Sequence, residues 1–200
     1  MSEFHLRTLE LIDAGRELYR MGMVPATSGN FSARMSDGNL AITVSGRHKG
    51  KLTEQDIMLV DAAGRCCDDR RPSAETLLHV QIYRRFPDAA FVLHPHSVHA
   101  TLLSRLCDDC LVLQDYELLK AFPGVDTHCC EVRVPIFDNN QDIERLAAAV
   151  EAGLSNSAPG YLIRGHGFYT WGNSLEDALR HVEAFEFLFE CEMRLKGLSP

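Results

Sequence analysis

The sequence predicts an α/β fold with three layers, in which a central mixed and mainly antiparallel sheet is flanked by helices. One observation behind this prediction is that long segments with apolar residues at helical spacing alternate with short apolar runs bounded by turn residues. Another is that several short runs lie close together in the chain, as antiparallel neighbours do. Helices and sheet then bury their apolar faces against each other as layers. With 200 residues, 46% of them hydrophobic, the chain is expected to form one domain over residues 1–200.

Five segments of the sequence have the spacing of helices. In the first of them, Leu6, Leu9 and Ile12 recur between charged residues, which indicates an amphipathic helix. Ser73 and Ser174 are candidate N-caps of the second and the last, because a serine hydroxyl accepts hydrogen bonds from the free N–H groups of a first turn. In chain order, the predicted helices cover residues 3–19, 73–83, 97–106, 142–154 and 174–196.

Short apolar runs with the composition of strands occur at residues 40–44, 89–93, 131–137 and 161–164. The first run enters the turn Ser45-Gly46, and the last enters a turn in which glycines stand on both sides of a histidine. No G-x-G-x-x-G motif follows a strand, and no G-x-x-x-x-G-K-[ST] motif occurs. The usual loops that bind nucleotide phosphates are therefore excluded.

The charge balance limits the partners that the chain can have. Its 20 Lys and Arg residues stand against 28 Asp and Glu residues, which gives a formal net charge of -8. Nucleic-acid binding needs a basic face that neutralises phosphates, so no nucleic-acid partner is expected. Charged residues occur throughout residues 1–20, and no apolar run approaches the length of a bilayer span. We therefore expect a cytoplasmic protein with no export signal and no membrane partner.

Seven cysteines are a high count, but the number is odd and no secretory signal accompanies them. Cys107 and Cys110 form a C-x-x-C pair, and Cys129 and Cys130 follow at the separation of the second half of a zinc ribbon. Adjacent side chains diverge, however, whereas a ribbon needs a gap of two residues so that both sulfurs face one metal. We interpret the cysteines as reduced thiols, buried or half-exposed, with a zinc ribbon as the alternative.

The strongest local signal for chemistry is His94-Pro95-His96, at the end of an apolar run. Side chains two apart in extended chain point to the same face, and proline keeps the segment extended, so two imidazoles can face one cation. His166, again at the end of a predicted strand, supplies a third. Three histidines make an open site that suits a catalytic zinc. We interpret His79 and His181 as structural or surface residues, and His48 as a loop residue that can face a ligand.

Two carboxylates are candidate acid–base partners. Glu75 either stabilises the start of a helix through the helix dipole or serves the metal site. Glu117 is either a surface residue of a short helix or a base whose pKa is raised by an apolar pocket. Spacing does not decide between these alternatives. The loops at residues 27–30 and 43–46 place hydroxyls, an amide and backbone N–H groups together, either as a small anion-binding nest or as ordinary turns.

The motifs taken together, in their order along nearly the whole chain, resemble the class II aldolase/adducin family. They are Ala26-Thr-Ser-Gly-Asn-Phe-Ser32, Ile42-Thr-Val-Ser-Gly46, Arg71-Pro-Ser-Ala-Glu75, His94-Pro-His96 and Leu162-Ile-Arg-Gly-His-Gly167. Further motifs are similar to the dehydratases of this family, which act on a phosphorylated ketose in methionine salvage. They are Ser45-Gly-Arg-His-Lys-Gly-Lys-Leu-Thr53, Asp115-Tyr-Glu-Leu-Leu-Lys120, Val134-Pro-Ile-Phe137 with Asn140-Gln-Asp142, and Gly167-Phe-Tyr-Thr-Trp-Gly172. The resemblance implies a zinc-dependent hydro-lyase. A sugar-phosphate aldolase or epimerase is the alternative, and a non-catalytic adducin-like binding module is a further one.

The resemblance also implies roles for individual residues. One Zn²⁺ per subunit is held by His94, His96 and His166. The phosphate of a small-molecule ketose is held by Ser28, Gly29, Asn30, Ser45, Gly46 and Ser73. Glu117 matches the general base of the dehydratases. Glu75 matches the catalytic or metal-ligating carboxylate of the aldolases, and here it either supports the site from behind the ligands or is the alternative acid–base group. Family members form homotetramers with active sites near subunit interfaces, and we expect the same assembly.

Overall fold

Eight strands and five α-helices alternate along the chain in the computed structural model, which describes residues 1–67 and 69–198. The strands are β1 (Asn30–Arg34), β2 (Leu40–Thr43), β3 (Ile57–Val60), β4 (Phe91–His94), β5 (Cys110–Gln114), β6 (Glu131–Phe137), β7 (Gly160–Ile163) and β8 (Phe168–Gly172). The helices are α1 (Glu3–Arg20), α2 (Thr76–Arg85), α3 (Val98–Leu106), α4 (Ile143–Gly153) and α5 (Leu175–Leu198). Short 3₁₀ segments lie at Lys49–Lys51, Glu54–Asp56 and Glu117–Ala121.

The strands form one sheet in the order β3-β2-β1-β4-β8-β7-β6-β5. Neighbouring strands are antiparallel except β6 and β7, which run parallel. Helices α1, α3 and α5 pack on one face of the sheet, and α2 and α4 pack on the other. The predicted three-layer α/β fold with a mixed, mainly antiparallel sheet is therefore confirmed.

Strand β4 lies in the middle of the sheet and contributes side chains to the hydrophobic cores on both of its faces. Phe91 and Leu93 belong to the core beneath α1, α3 and α5, whereas Val92 belongs to the core beneath α2 and α4. Because both faces are covered, the strand has a continuous apolar sequence rather than an alternating one. That run ends at His94, which the sheet therefore carries to the end of a central strand.

Four strands, β1, β3, β5 and β8, were not predicted, and β1 shows one reason. Asn30 and Ser32 are polar but buried, at 7% and 0% exposure, so β1 lacks the apolar pattern of a buried strand. The predicted N-cap at Ser73 is also wrong, because α2 begins at Thr76 and Glu75 occupies the N-cap position. Ser174 does cap the last helix, since its Oγ accepts a hydrogen bond from the backbone N of a residue three positions later.

Helix α5 closes the chain and is the longest helix of the described part, with 24 residues. Val182, Phe185 and Phe189 are buried against the sheet, whereas Phe187 is 53% exposed. Charged residues separate these aromatic residues along the helix. Over residues 1–67 and 69–198, no helix combines the length and the apolar composition that crossing a bilayer requires.

Candidate metal centre

The structure brings His94, His96 and His166 together at one end of the central strands. His94 ends β4, His96 follows two residues later, and His166 lies in the turn between β7 and β8. Because β4 and β8 are neighbours in the sheet, the two segments meet. One ligand nitrogen from each ring lies within 4.8 Å of the other two. The Nε2 atoms of His94 and His96 are 2.9 Å apart.

Backbone contacts fix the orientation of these rings. Nδ1 of His94 lies 2.8 Å from the carbonyl oxygen of Phe168, to which it donates, so Nε2 is left facing the cluster. Gly167 permits this approach, because a Cβ at that position would lie 2.3 Å from the carbonyl oxygen of Pro95. The same Cβ would lie 3.1 Å from ring atoms of both His94 and His96. The glycine after His166 is therefore required for the two histidine segments to pack.

Two of the three histidines, His94 and His96, are held in the neutral form by their surroundings. Burial, followed by the nearby His166, holds the pKa of His94 well below its usual range. Burial, followed by the adjacent His94 and His166 rings, lowers the pKa of His96 to about 2. Nδ1 of His166 is buried without a hydrogen-bond partner. Three imidazoles that converge in this way have the donor set of a divalent-metal site, and the residues present fit zinc.

A buried carboxylate, that of Glu75, joins the histidine cluster. Its Oε2 lies 3.3 Å from Nε2 of His94, and its Oε1 lies 3.7 Å from Nε2 of His166. Oε2 also accepts hydrogen bonds from Nδ2 of Asn30 at 2.8 Å and from the hydroxyl of Tyr169 at 3.0 Å. Burial, followed by the negative charge of Glu75, raises the pKa of Tyr169, so the phenol remains a donor. The side chain of Glu75 therefore faces the histidines, and the interpretation that it only stabilises the start of a helix is wrong.

A cleft of about 260 Å³ opens beside the histidines. Of the residues expected to hold phosphate, Gly29, Asn30, Ser45, Gly46 and Ser73 line it. Ser28 is not among the lining residues, and its hydroxyl donates to the carbonyl oxygen of Pro25 at 2.7 Å. His96, His166 and Glu75 line the same cleft, so the two polar loops and the histidine cluster open into one space.

The cleft also contains a cation that sequence reasoning did not single out, Lys49. The side chain is 1% exposed, and Nζ donates to the carbonyl oxygens of Thr27 at 3.1 Å and of Arg47 at 2.7 Å. Burial lowers the pKa of Lys49 to about 8, against the opposing effect of Asp56. The sequence feature that could have identified Lys49 is its position shortly after the predicted anion-binding loop Ser45-Gly46. Asn139, Asn140 and Gln141 also line the cleft. Asn140 and Gln141 belong to the dehydratase-like motif Asn140-Gln-Asp142, but the sequence predicted no role for them.

Glu117 lies elsewhere, on the 3₁₀ segment Glu117–Ala121, and is not among the cleft-lining residues. Its side chain is 74% exposed and is 2.6 Å from Nζ of Lys120. The hydrogen bond from Lys120, followed by that residue's charge, lowers the pKa of Glu117. The expectation of a pKa raised by an apolar pocket is therefore wrong for the single chain, and Glu117 is a surface residue of a short helix.

The remaining histidines and cysteines do not form a second site in the described residues. His79 and His181 are buried, at 0% and 2% exposure, and His48 packs against the ring of Tyr19 and is not a lining residue. All seven cysteines are free; Cys107, Cys110, Cys130 and Cys191 are half-exposed as expected, whereas Cys66, Cys67 and Cys129 are exposed. In residues 1–67 and 69–198, the three histidines are the one group with the spacing of metal ligands, so the zinc-ribbon alternative is wrong there.

Comparisons with known proteins identify the family. Residues 9–193 match the class II aldolase and adducin N-terminal domain. A protein of Methylococcus capsulatus named methylthioribulose-1-phosphate dehydratase is 61% identical over 200 residues, 99% of this chain and 98% of that protein. A Pseudomonas paraeruginosa protein of the same name is 59% identical over 96% of each chain. The crystal structure of L-fuculose-1-phosphate aldolase from Thermus thermophilus has a TM-score of 0.78, with 27% identity and 98% of each chain covered. This chain belongs to the class II aldolase and adducin family.

Proposed function

We propose that the single domain over residues 1–200 is a methylthioribulose-1-phosphate dehydratase of methionine salvage. It removes water from 5-methylthioribulose 1-phosphate and forms 2,3-diketo-5-methylthiopentyl 1-phosphate. The observation that carries this proposal is the 61% identity to a protein of that name over nearly the full length of both chains. We also propose a cytoplasmic location, because the substrate is a charged phosphate ester that does not cross a membrane unaided.

We propose one Zn²⁺ per subunit, held by His94, His96 and His166. When bound there, zinc supplies Lewis acidity that polarises the C2 ketone and makes the C3 proton acidic. The convergence of the three rings and the unpartnered Nδ1 of His166 support this assignment. Glu75, within 3.3 Å of His94, adds a negative charge beside the ligands and limits the net charge of the loaded site.

The phosphate of the substrate binds in the cleft next to the histidines. Gly29, Asn30, Ser45, Gly46 and Ser73 offer backbone N–H groups and polar side chains there, and Ser28 supplies the backbone of the same loop. Lys49 adds a positive charge to this set. Its Nζ donates to two backbone carbonyl oxygens, and the charge of Asp56 acts on it, so an anion in the cleft would add a further counter-charge. This arrangement favours a phosphorylated substrate.

The reaction needs a base for the C3 proton, and we assign that role to Glu117. Once the C3 proton has been removed, the C4 hydroxyl departs as water, and the resulting enol tautomerises to the 2,3-diketone. Glu117 is exposed on its own chain, as is Leu118 at 37%, and we propose that this carboxylate reaches the cleft of a neighbouring subunit. We therefore propose a homotetramer in which the active site is completed across a subunit interface. Glu75, already in contact with the histidines, is the alternative acid–base group.

A sugar-phosphate aldolase is the second candidate, and the likeness to the Thermus thermophilus enzyme favours it. An aldolase would deprotonate a hydroxyl and break the C3–C4 bond, giving a triose phosphate and an aldehyde. The test incubates the purified, zinc-loaded chain with 5-methylthioribulose 1-phosphate and identifies the products. Diketone and water support the dehydratase, triose phosphate with aldehyde supports the aldolase, and no turnover of either kind leaves the adducin-like binding module.

A further inference from the structure

A row of hydrogen-bonded polar side chains lies buried behind the metal centre, between β1 and α2. Glu75, His79 and Tyr83 stand four residues apart and form one stripe of the α2 segment. Asn30 and Ser32 stand two residues apart and share one face of β1. The two stripes meet side by side, and all five residues are buried.

The contacts run in an unbroken order from Tyr83 to Glu75. The hydroxyl of Tyr83 is 2.8 Å from Oγ of Ser32, which is 2.7 Å from Nδ1 of His79. Nε2 of His79 is hydrogen-bonded to Oδ1 of Asn30. Nδ2 of Asn30 then donates to Oε2 of Glu75 at 2.8 Å. His79 is therefore the link between the inner half of the row and the residue that faces the metal ligands.

The direction of each hydrogen bond follows from the chemistry at the Glu75 end. A carboxylate accepts hydrogen bonds, so the Asn30 amide presents its NH₂ group to Glu75 and its oxygen to His79. Nε2 of His79 must then be the donor. Burial lowers the pKa of His79 to about 4, so the ring is neutral and Nδ1 accepts from Ser32. From Ser32 through His79 and Asn30, every donor thus points toward Glu75.

The opposite arrangement would disturb the carboxylate. With the proton of His79 on Nδ1 instead, Nε2 and Oδ1 of Asn30 would both be acceptors facing each other. Rotation of the Asn30 amide would relieve that conflict but would turn its oxygen toward Glu75. The carboxylate would then lose one of the two donors that hold Oε2, leaving only the hydroxyl of Tyr169.

We propose that His79 is a positioning residue: it donates from Nε2 to Asn30, fixes the orientation of the Asn30 amide, and so holds Glu75 against the histidine cluster. The inference rests on the proposed function, because Glu75 is taken to serve the metal centre of the dehydratase. His79 itself touches neither substrate nor metal ligand nitrogen, and it acts through Asn30. Loss of a residue that hydrogen-bonds to a metal ligand, or to a residue in contact with one, typically lowers activity or metal affinity about 10- to 100-fold.

Two variants separate this role from simple filling of the core. In His79→Gln, the amide nitrogen can occupy the position of Nε2 and still donate to Asn30. In His79→Asn, the shorter side chain reaches only the position of Nδ1, toward Ser32. We expect kcat to fall about 10- to 100-fold in His79→Asn and to remain within a few-fold of wild type in His79→Gln, with similar thermal stability and KM in the two. Equal kcat in both variants, whether high or low, would overturn the proposal.

Nitrogen-15 NMR of the wild-type protein provides a test that does not depend on turnover. We expect the ring of His79 to carry its proton on Nε2, and the side-chain NH₂ signals of Asn30 to move in His79→Asn but not in His79→Gln. A proton on Nδ1 in the wild type would refute the inference. A wild-type protein that does not dehydrate the substrate would count against the proposed function, while the NMR comparison would still decide the role of His79.

Ser32→Ala covers the case in which both His79 variants fail to fold, because it leaves the ring in place. This substitution removes the hydroxyl that donates a hydrogen bond to Nδ1 of His79. We expect the fraction of Nε2–H tautomer and kcat to fall together in this variant. A changed tautomer with unchanged kcat would overturn the proposal, as would a lower kcat with the tautomer unchanged.

Discussion

Oε2 of Glu75 lies 3.3 Å from Nε2 of His94, although Glu75 precedes a helix on one face of the sheet and His94 ends a central strand. Because burial holds the pKa of His94 well below its usual range, this contact is not an ion pair. The carboxylate of Glu75 therefore faces a neutral imidazole at His94. A divalent cation bound by the histidines would be stabilised by this charge, and the predictions below follow from that arrangement.

Replacement of one metal ligand tests the centre directly. His96→Ala removes a nitrogen from the cluster, so we expect loss of activity and a lower metal content. Elemental analysis after dialysis against zinc measures occupancy, and His5→Ala, which changes a half-buried histidine outside the cluster, is the matched control. Full zinc occupancy in His96→Ala would mean that the ligands have been assigned wrongly.

Replacement of Glu75 separates support of the metal from proton transfer. Glu75→Gln keeps the size of the side chain but removes the charge beside the histidines, so zinc affinity should fall about 10- to 100-fold. At saturating zinc, kcat should fall less than in Glu117→Gln. Zinc titration and turnover are measured on the same preparations. A Glu75→Gln protein that is inactive but fully loaded with zinc would make Glu75 the base and would favour aldolase chemistry.

Replacement of Glu117 tests both the base and the assembly. Glu117→Gln touches no metal ligand, so zinc should remain bound while turnover falls roughly 10²- to 10⁴-fold, the usual contribution of general acid–base catalysis. Because Glu117 is exposed on its own chain, we expect partial activity to return when Glu117→Gln and His96→Ala subunits are refolded together. The mixed tetramers then contain sites with intact histidines from one chain and an intact Glu117 from another.

Two outcomes of that mixing experiment would count against the proposal. Activity that stays at the level of the separate variants, in a preparation shown to contain mixed oligomers, would place Glu117 outside the neighbouring site. A monomer by light scattering at micromolar concentration would exclude the proposed assembly altogether.

Lys49 should make substrate binding depend on pH. Its pKa of about 8 means that the charge is present below pH 8 and is lost as the pH rises above it, so KM for the phosphorylated ketose should rise above pH 8. Lys49→Met should raise KM about 10- to 100-fold at pH 7, since hydrogen bonds to charged groups contribute about 1.5–3 kcal/mol. KM for the ketose without its phosphate is the control and should not change with this substitution. The same KM in wild type and Lys49→Met would remove the lysine from the phosphate site.

The sequence predicted the parts of the site that local patterns encode. His94 and His96 are two apart in extended chain, and His166 lies in a glycine-flanked turn, so their chemistry was visible without knowledge of the fold. The position of Glu75 was not, because its partner Asn30 lies 45 residues away and meets it only where β1 packs against α2. Lys49 was missed for a similar reason, since only the folded loops make it a buried cation in the cleft.

Gly167 provides the last test, because it limits how closely the two histidine segments approach. A Cβ at residue 167 would lie 2.3 Å from the carbonyl oxygen of Pro95, a backbone atom that cannot rotate away. Gly167→Ala should therefore separate His166 from His94 and lower zinc affinity, while the free energy of unfolding falls by about 1–3 kcal/mol, as for other overpacked interiors. Gly197→Ala is the control, since a Cβ there meets nothing within 4 Å. Unfolding by denaturant and zinc titration measure both effects, and a Gly167→Ala protein that binds zinc as tightly as the control would show that the approach of these segments does not set the geometry of the metal centre.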